Sequence, residues 1–332
     1  MLRTRTTPPR PVDVTVHFPQ LAPLARTAVR LHPRAGAPAT SDSSIGGPLL
    51  WPARETWPTC PEHGGPWQHG IAPKDVQLRR QILAEAWRRP QVEGADLLST
   101  DERATVDLIS KSSRIPQDGP VPMVPVAQLY AADVPDLSRP DGADLLQLLW
   151  CPFDHYEDYL PRTELRWRTA ADVTDPLAAP PQPSVIGNDD YLPEPCVLHP
   201  ETVTEFPAPH ELRKELAERI EAWDDKHDFH YQYDLGVAPG CKVGGYAPWS
   251  FSDPFPMVCP ECGSDVRPLL TIDGSEWDGG SGSWRPVEDG GYTGLHFLGP
   301  ANATQLNIGR GYSLQLYACT ASYDHPHVQN MQ

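Results

Sequence analysis

Gly244-Gly245-Tyr246-Ala247-Pro248-Trp249, followed by Cys259-Pro260-Glu261-Cys262-Gly263 and then by Leu269-Leu270-Thr271-Ile272, is the passage from which the fold is read. Its opening is turn chemistry: paired glycines accept positive φ and close approach of other chain, and Pro248 stops any regular element. Two cysteines separated by two residues, on a turn closed by Gly263, aim two thiolates at one point, which is the spacing of a zinc knuckle. The apolar run that follows is short and bounded by turn residues, as a buried strand is.

The same order of features occurs earlier. Gly46-Gly47-Pro48, with Trp51 and Pro58, precedes Cys60-Pro61-Glu62-His63-Gly64, and Val124 to Leu129 supplies the buried strand. The second Cys of the knuckle is replaced by His63, and a helical stretch separates knuckle from strand. We read a degenerate duplication, giving two related lobes with a helical insertion in the first. Regular βα alternation is scarce, so the expected class is α+β, rich in strands.

Working outward, residues 1–45 read as an N-terminal arm. Within it Val12, Val14 and Val16 alternate with polar residues, predicting one half-buried strand. The first lobe is expected over 46–180. Its insertion, 74–113, carries Leu78, Ile82, Leu83 and Ala86 at helical spacing, and then Val106, Leu108 and Ile109. Leu145 to Trp150 and Leu165 to Arg168 read as strands. The Pro-rich connector ending in Pro180-Pro181-Gln182-Pro183 suggests the lobe boundary. The second lobe, 184–332, holds the zinc knuckle, a strand at Leu314 to Tyr317, and a helix over 209–226. Pro209 sits at that helix's start, and Leu212, Leu216, Ile220 and Trp223 make one apolar face.

Forty prolines in 332 residues and an apolar fraction of 39% would suit disorder, but ten Trp and eleven Tyr argue for a packed chain with Pro-bounded elements. A net charge of −17 argues against nucleic acid or an anionic membrane as partner, because both demand clustered Lys and Arg. No apolar run reaches the ~18 residues of a membrane span. The basic start, Met1 to Arg5, runs into Pro8-Pro9-Arg10-Pro11 without an apolar core, so no signal peptide is expected and Asn302-Ala303-Thr304 is taken as a chance sequon. Seven cysteines, an odd number, then read as thiols or metal ligands of a cytoplasmic protein.

Several of these stretches, taken together, resemble the YwqG-like family of bacterial proteins. Gly46-Gly47-Pro48-Leu49, Trp57-Pro58-Thr59-Cys60 and Pro125-Val126-Ala127-Gln128-Leu129 are similar to its first half. Lys242 to Trp249, Leu269 to Ile272 and Gly309-Arg310-Gly311-Tyr312-Ser313-Leu314 are similar to its second. The resemblance implies an intracellular α+β fold with no assigned activity and no catalytic residues. The chain departs from the family in its helical insertion and at Arg310, where the pattern has an acidic residue.

For chemistry, Cys259 and Cys262 supply half of a tetrahedral shell, and pseudo-symmetry nominates Cys60 and His63 as the other half of a closed, structural zinc site. Cys319, His325 and His327 compete for that place. Cys151, Cys196 and Cys241 are scattered and read as small buried hydrophobes. Trp51, Trp57 and Trp249 lie in loops and are candidates for a concave binding face, against the plainer reading that they close the lobes as core. Gly279-Gly280-Ser281-Gly282 lacks the Lys-Ser/Thr of a phosphate-binding loop. The expectation is therefore a binding or interaction protein with structural zinc, docking a protein partner. The alternatives are a zinc hydrolase or deaminase, for which His199-Pro200-Glu201 upstream of the knuckle is a faint signature, and an immunity-type protein whose acidic surface captures a basic toxin.

Overall fold

The computed structural model describes residues 4–61, 69–91, 93–112, 115–116, 119–155 and 159–332. The first eight strands are β1 (Arg26–Arg30), β2 (Arg34–Ala35), β3 (Ser44–Ile45), β4 (Thr59–Cys60), β5 (His69–Gly70), β6 (Ile115–Pro116), β7 (Val121–Pro122) and β8 (Val124–Tyr130). There follow β9 (Leu145–Trp150), β10 (Thr163–Arg168), β11 (Cys196–Val197), β12 (Glu201–Glu205), β13 (Lys242–Gly244), β14 (Val266–Asp273), β15 (Ser313–Cys319) and β16 (Val328–Met331). The helices are α1 (Val14–His17), α2 (Pro73–Arg88), α3 (Thr100–Ser112) and α4 (Lys214–Asp224). The class is mixed α and β, as expected.

Two six-stranded antiparallel sheets dominate, in the orders β12-β1-β13-β14-β15-β16 and β10-β9-β8-β3-β11-β2. The runs that read as buried strands are their inner members: every residue of β9 and of β15 is buried. Burial on both faces explains why those runs lack alternation. Val126, Leu146 and Leu148 of one sheet share a single apolar cluster with Leu270, Leu314 and Leu316 of the other.

Each sheet bends at a proline. The β8–β9 register shifts between Pro125 and Ala127, and the β14–β15 register shifts between Pro268 and Leu270. Proline has no N–H to give the ladder, and a bulge absorbs the missing bond. Inside each bend a glutamine ties the strand to the Gly-rich loop: Gln147 Nε2 donates to Leu50 O at 2.9 Å and Gln315 Nε2 to Pro248 O at 2.5 Å.

The Gly244-Gly245-Tyr246 turn wraps a buried carboxylate. Lys242 Nζ donates to Glu205 Oε1 at 2.5 Å and to Tyr246 O at 2.7 Å, while Ala238 N and Tyr246 N donate to the same carboxylate at 2.9 and 2.7 Å. Gly245 is at φ +68°, and a Cβ there would stand 2.2 Å from Glu205 Oε2. The motif is glycine because the carboxylate occupies the space.

The N-terminal stretch departs from expectation. Residues 12–16 form no strand; Asp13 Oδ1 accepts from Thr15 N at 2.9 Å and caps α1, whose Val14 packs with Phe18 and Leu21 against Leu216 and Ile220 of α4. A side-chain cap on a β-branched stretch won over its period-2 pattern. Nor is 1–45 an arm: β1 lies inside the sheet of β13 and β14, and β2 and β3 lie in the other. Past the Pro-rich connector, β11 returns to the sheet of β8 and β9, so the two sheets exchange strands across the expected boundary. The helical insertion forms as α2 and α3. The 209–226 helix divides into a tight turn, Pro209–Glu211, and α4. Among the described residues no helix is long and apolar enough to cross a membrane.

Candidate metal centre

Cys259 opens a tight turn whose stem is the Val258–Asp265 bridge. Gly263 N donates to Cys259 O at 2.9 Å and Cys259 N to Ser264 O at 2.8 Å. Gly263, at φ +71°, supplies the left-handed residue that closes the turn. The chain then enters β14, and β15 returns beside it with Cys319 paired to Val266. That register delivers the third sulfur to the knuckle. The turn between β15 and β16 brings back His325.

Cys319 Sγ lies 3.4 Å from His325 Nδ1 and 3.6 Å from Cys262 Sγ, and Cys259 Sγ lies 3.7 Å from His325 Nδ1. All four ligand atoms fall within 4.8 Å of one another. A tetrahedron with Zn–S near 2.3 Å and Zn–N near 2.05 Å has S···S edges of about 3.8 Å and S···N edges of about 3.6 Å. The observed separations match those edges, and they are far beyond the ~2.05 Å of a disulfide. Three sulfurs and an imidazole make a donor set that could hold a metal ion, and one of the sets that structural zinc sites use.

The local field favours the thiolate at two of these ligands, Cys319 and Cys262, and the protonated form at the other two. Burial pushes the Cys319 thiol up, but the N–H groups of Ala321 and Ser322 and the His325 ring outweigh it and hold the thiol down to about 6. The Ser264 hydroxyl and N–H lower Cys262, burial raises Cys259, and the Cys319 sulfur raises His325. Metal binding displaces the remaining protons.

The structure brings Cys259 and Cys262 together as expected, and it is Cys319 and His325 that it gathers beside them. It does not bring Cys60 to them: Cys60 lies with Cys151 and His155 instead. His63 lies outside the described residues. His327 turns away, its Nε2 standing 2.7 Å from Thr163 Oγ1 on β10, and burial pushes the ring down to about 4. Cys60 and Cys259 each lie with residues from the end of the β-hairpin that follows in the chain, and not with each other. Cys151 is buried, as a small hydrophobe is, but it also lies beside Cys60 and His155, and the Cys151-x-x-x-His155 spacing just past β9 is the sequence signal for that.

Glu201, the proton shuttle of the deaminase reading, lies on β12 with its Oε2 accepting from Thr7 N at 2.7 Å. In the sheet order β12 stands four strands from β15, about 19 Å at the usual spacing. It does not reach the metal centre.

Trp51 and Trp57 are core: their rings lie 5.0 Å apart, and their indole N–H groups donate to Glu55 O and Met123 O at 3.1 and 2.8 Å. Trp249 borders a cavity of about 430 Å³ that it shares with Tyr233, Trp277, Asp273 and Asp278. Burial and the Glu276 charge push the half-buried Asp273 carboxyl up to about 7. A cleft of about 830 Å³ elsewhere is lined by Arg5, Arg34, Arg80 and Arg88. Three of those guanidiniums have structural work: Arg34 and Arg5 pair with Asp289, and Arg80 donates to Leu192 O and Asp189 O, both at 2.7 Å.

No protein-family model matches the chain, and no curated protein matches it.

Proposed function

We propose that this chain is a non-catalytic binding protein stapled by a structural zinc ion at Cys259, Cys262, Cys319 and His325. The observation that carries the reading is the four-ligand cluster, gathered within 4.8 Å, with three of its separations at the edge lengths of a zinc-sized tetrahedron. Four protein ligands fill the coordination sphere, and an ion so enclosed holds β14, β15 and the following turn together instead of activating water. The ligand face is the cavity beside Trp249 and Trp277. Phe251 and Phe255, exposed at 58% and 47%, lie close to it in the chain, with the Phe255 ring 5.6 Å from Trp249. Aromatic walls with a few carboxyl and hydroxyl groups suit a small polar ligand or a projecting side chain of a protein partner.

The proposal includes descent by duplication. What supports it is the same strand order in both sheets, a bulge at Pro125 and at Pro268, and equivalent glutamine bonds to Leu50 and Pro248. We also propose that the chain is a divergent YwqG-like protein; in support, most of the stretches carrying that resemblance supply strands and Gly-rich turns of these two sheets, while Trp57 to Cys60 supplies β4 of a separate two-stranded sheet.

Elemental analysis tests the metal reading. Wild-type protein is expected to carry zinc, and Cys319→Ser to lose an equivalent of it and melt earlier. Wild type free of metal after purification without chelators, or Cys319→Ser at full zinc content, overturns it.

A further inference from the structure

A second cluster stands at the matching place in the other sheet. Cys60, on β4, and Cys151, just past β9, are fully buried, and their sulfurs lie with a ring nitrogen of His155 inside a 4.8 Å circle. Cys60 Sγ is 3.6 Å from His155 Nε2, the S···N edge of a zinc tetrahedron at about 3.6 Å.

Position in the fold argues the same way. In the β8–β9 ladder the bulge proline, Pro125, pairs with Leu149, and Cys151 follows two residues later. In the β14–β15 ladder Pro268 pairs with Tyr317, and Cys319 follows two residues later. The two cysteines therefore occupy one structural position, each at the end of the strand that returns to its knuckle. A histidine follows each, His155 and His325. Cys60 stands where Cys259 does, on the chain leading into the hairpin. Two thiols and an imidazole brought together by two segments about 90 positions apart are not required by packing, since an apolar residue would fill either buried cysteine position as well.

We propose that Cys60, Cys151 and His155 bind a second zinc ion, which staples β4 to the end of β9 as the first ion staples the knuckle to the end of β15. Three protein donors are in place, and one position of a tetrahedral ion remains for a further donor. The protein is then a two-zinc chain.

The test counts metal site by site. Wild-type protein should contain two zinc ions per chain. Cys151→Ser and His155→Ala should each contain one, and Cys259→Ser the other one. Because Cys151 is buried and its variant risks misfolding, His155→Ala, at a partly exposed residue, carries the test by itself. Titration of metal-free protein with Co²⁺ gives a second readout: thiolate-to-cobalt absorption should saturate at two equivalents in wild type and at one in folded His155→Ala. One zinc in wild type, lost in Cys259→Ser and kept in Cys151→Ser and His155→Ala, overturns this inference while leaving the first site standing. Metal retained in Cys259→Ser but lost in His155→Ala overturns the first site and supports this one.

Discussion

Lys242→Met is the most informative single perturbation of the scaffold. The Lys242 and Glu205 side chains are both fully buried. Methionine nearly matches the lysine stem in volume, so little of the effect comes from a cavity. What changes is electrostatic: the Glu205 carboxylate keeps two N–H donors, from Ala238 and Tyr246, but loses its counter-charge, and Tyr246 O loses its donor. Removing one partner of a buried ion pair costs about 3–5 kcal/mol, because the other charge stays behind without compensation. At ~2.1 cal/mol/K of unfolding entropy per residue, 332 residues give about 0.7 kcal/mol/K, so a loss of ~4 kcal/mol lowers the midpoint by about 6 °C. The second arm of the cycle is Lys242→Met with Glu205→Gln. A neutral amide removes the orphaned charge and retains an oxygen for one of the two N–H donors, which is why the recovery is only partial. The double variant should therefore recover about 1–2 kcal/mol relative to Lys242→Met alone. Denaturant unfolding followed by Trp fluorescence and circular dichroism, at equal metal content, measures both. A Lys242→Met loss under ~1 kcal/mol, or a double variant no better than the single, would show that the pair carries no such role.

Two glycines predict opposite tolerance. Gly245→Ala should cost about 3 kcal/mol or more, since its Cβ would meet Glu205 Oε2 at 2.2 Å and the Ala28 Cβ at 2.7 Å. Gly263→Ala, at similar φ but with nothing within 4 Å, should cost only the ~1–2 kcal/mol of left-handed backbone; equal unfolding midpoints for the two variants would refute the steric account. Asp273 predicts a pH dependence. Its folded-state carboxyl is raised to about 7 from an ordinary 3.8, so the folded state holds the proton more tightly, and the stability this adds is present below about pH 4 and lost as pH rises through 7. Water in the adjoining cavity screens the half-buried group, so the change is about 2 kcal/mol instead of the full ~4 kcal/mol that linkage would give. Asp273→Asn should flatten that slope and gain stability at pH 8 relative to wild type; parallel melting-versus-pH curves for the two proteins would count against it.

The inner strands were legible because they are apolar runs, and their burial on both faces needs nothing but length and hydrophobicity to be recognised. The strand β1 was not. Arg26-Thr27-Ala28-Val29-Arg30 reads as polar, yet Arg30 is fully buried, with guanidinium donors spent on Trp284 O at 2.8 Å and Glu276 O at 3.0 Å. A buried arginine looks like a surface residue until its distant carbonyl partners are known, and those lie about 250 positions away, at residues 276 and 284. The exchange of β1 and β11 between the sheets was hidden for the same reason: nothing local to either strand says which ladder it joins.

The candidate metal centre divides along the same line. Cys259 and Cys262 were legible because a tight turn places both ligands without help from the rest of the chain. Cys319 and His325 depend on the β14–β15 register, and a slip of one residue there would turn Cys319 to the opposite face of the sheet. Even the register rests on Pro268, whose missing N–H forces the bulge. The tryptophans obey the converse rule. Composition alone puts Trp51, Trp57 and Trp284 in exposed-looking Gly- and Pro-rich loops, but a loop can fold inward when each indole N–H finds a carbonyl. Trp51 reaches Glu55 O, Trp57 reaches Met123 O and Trp284 reaches Tyr233 O. A loop indole with such a partner is core, so the aromatic residues to test for ligand contact are Trp249, which is buried but borders the cavity, and the exposed Phe251 and Phe255 beside it in the chain.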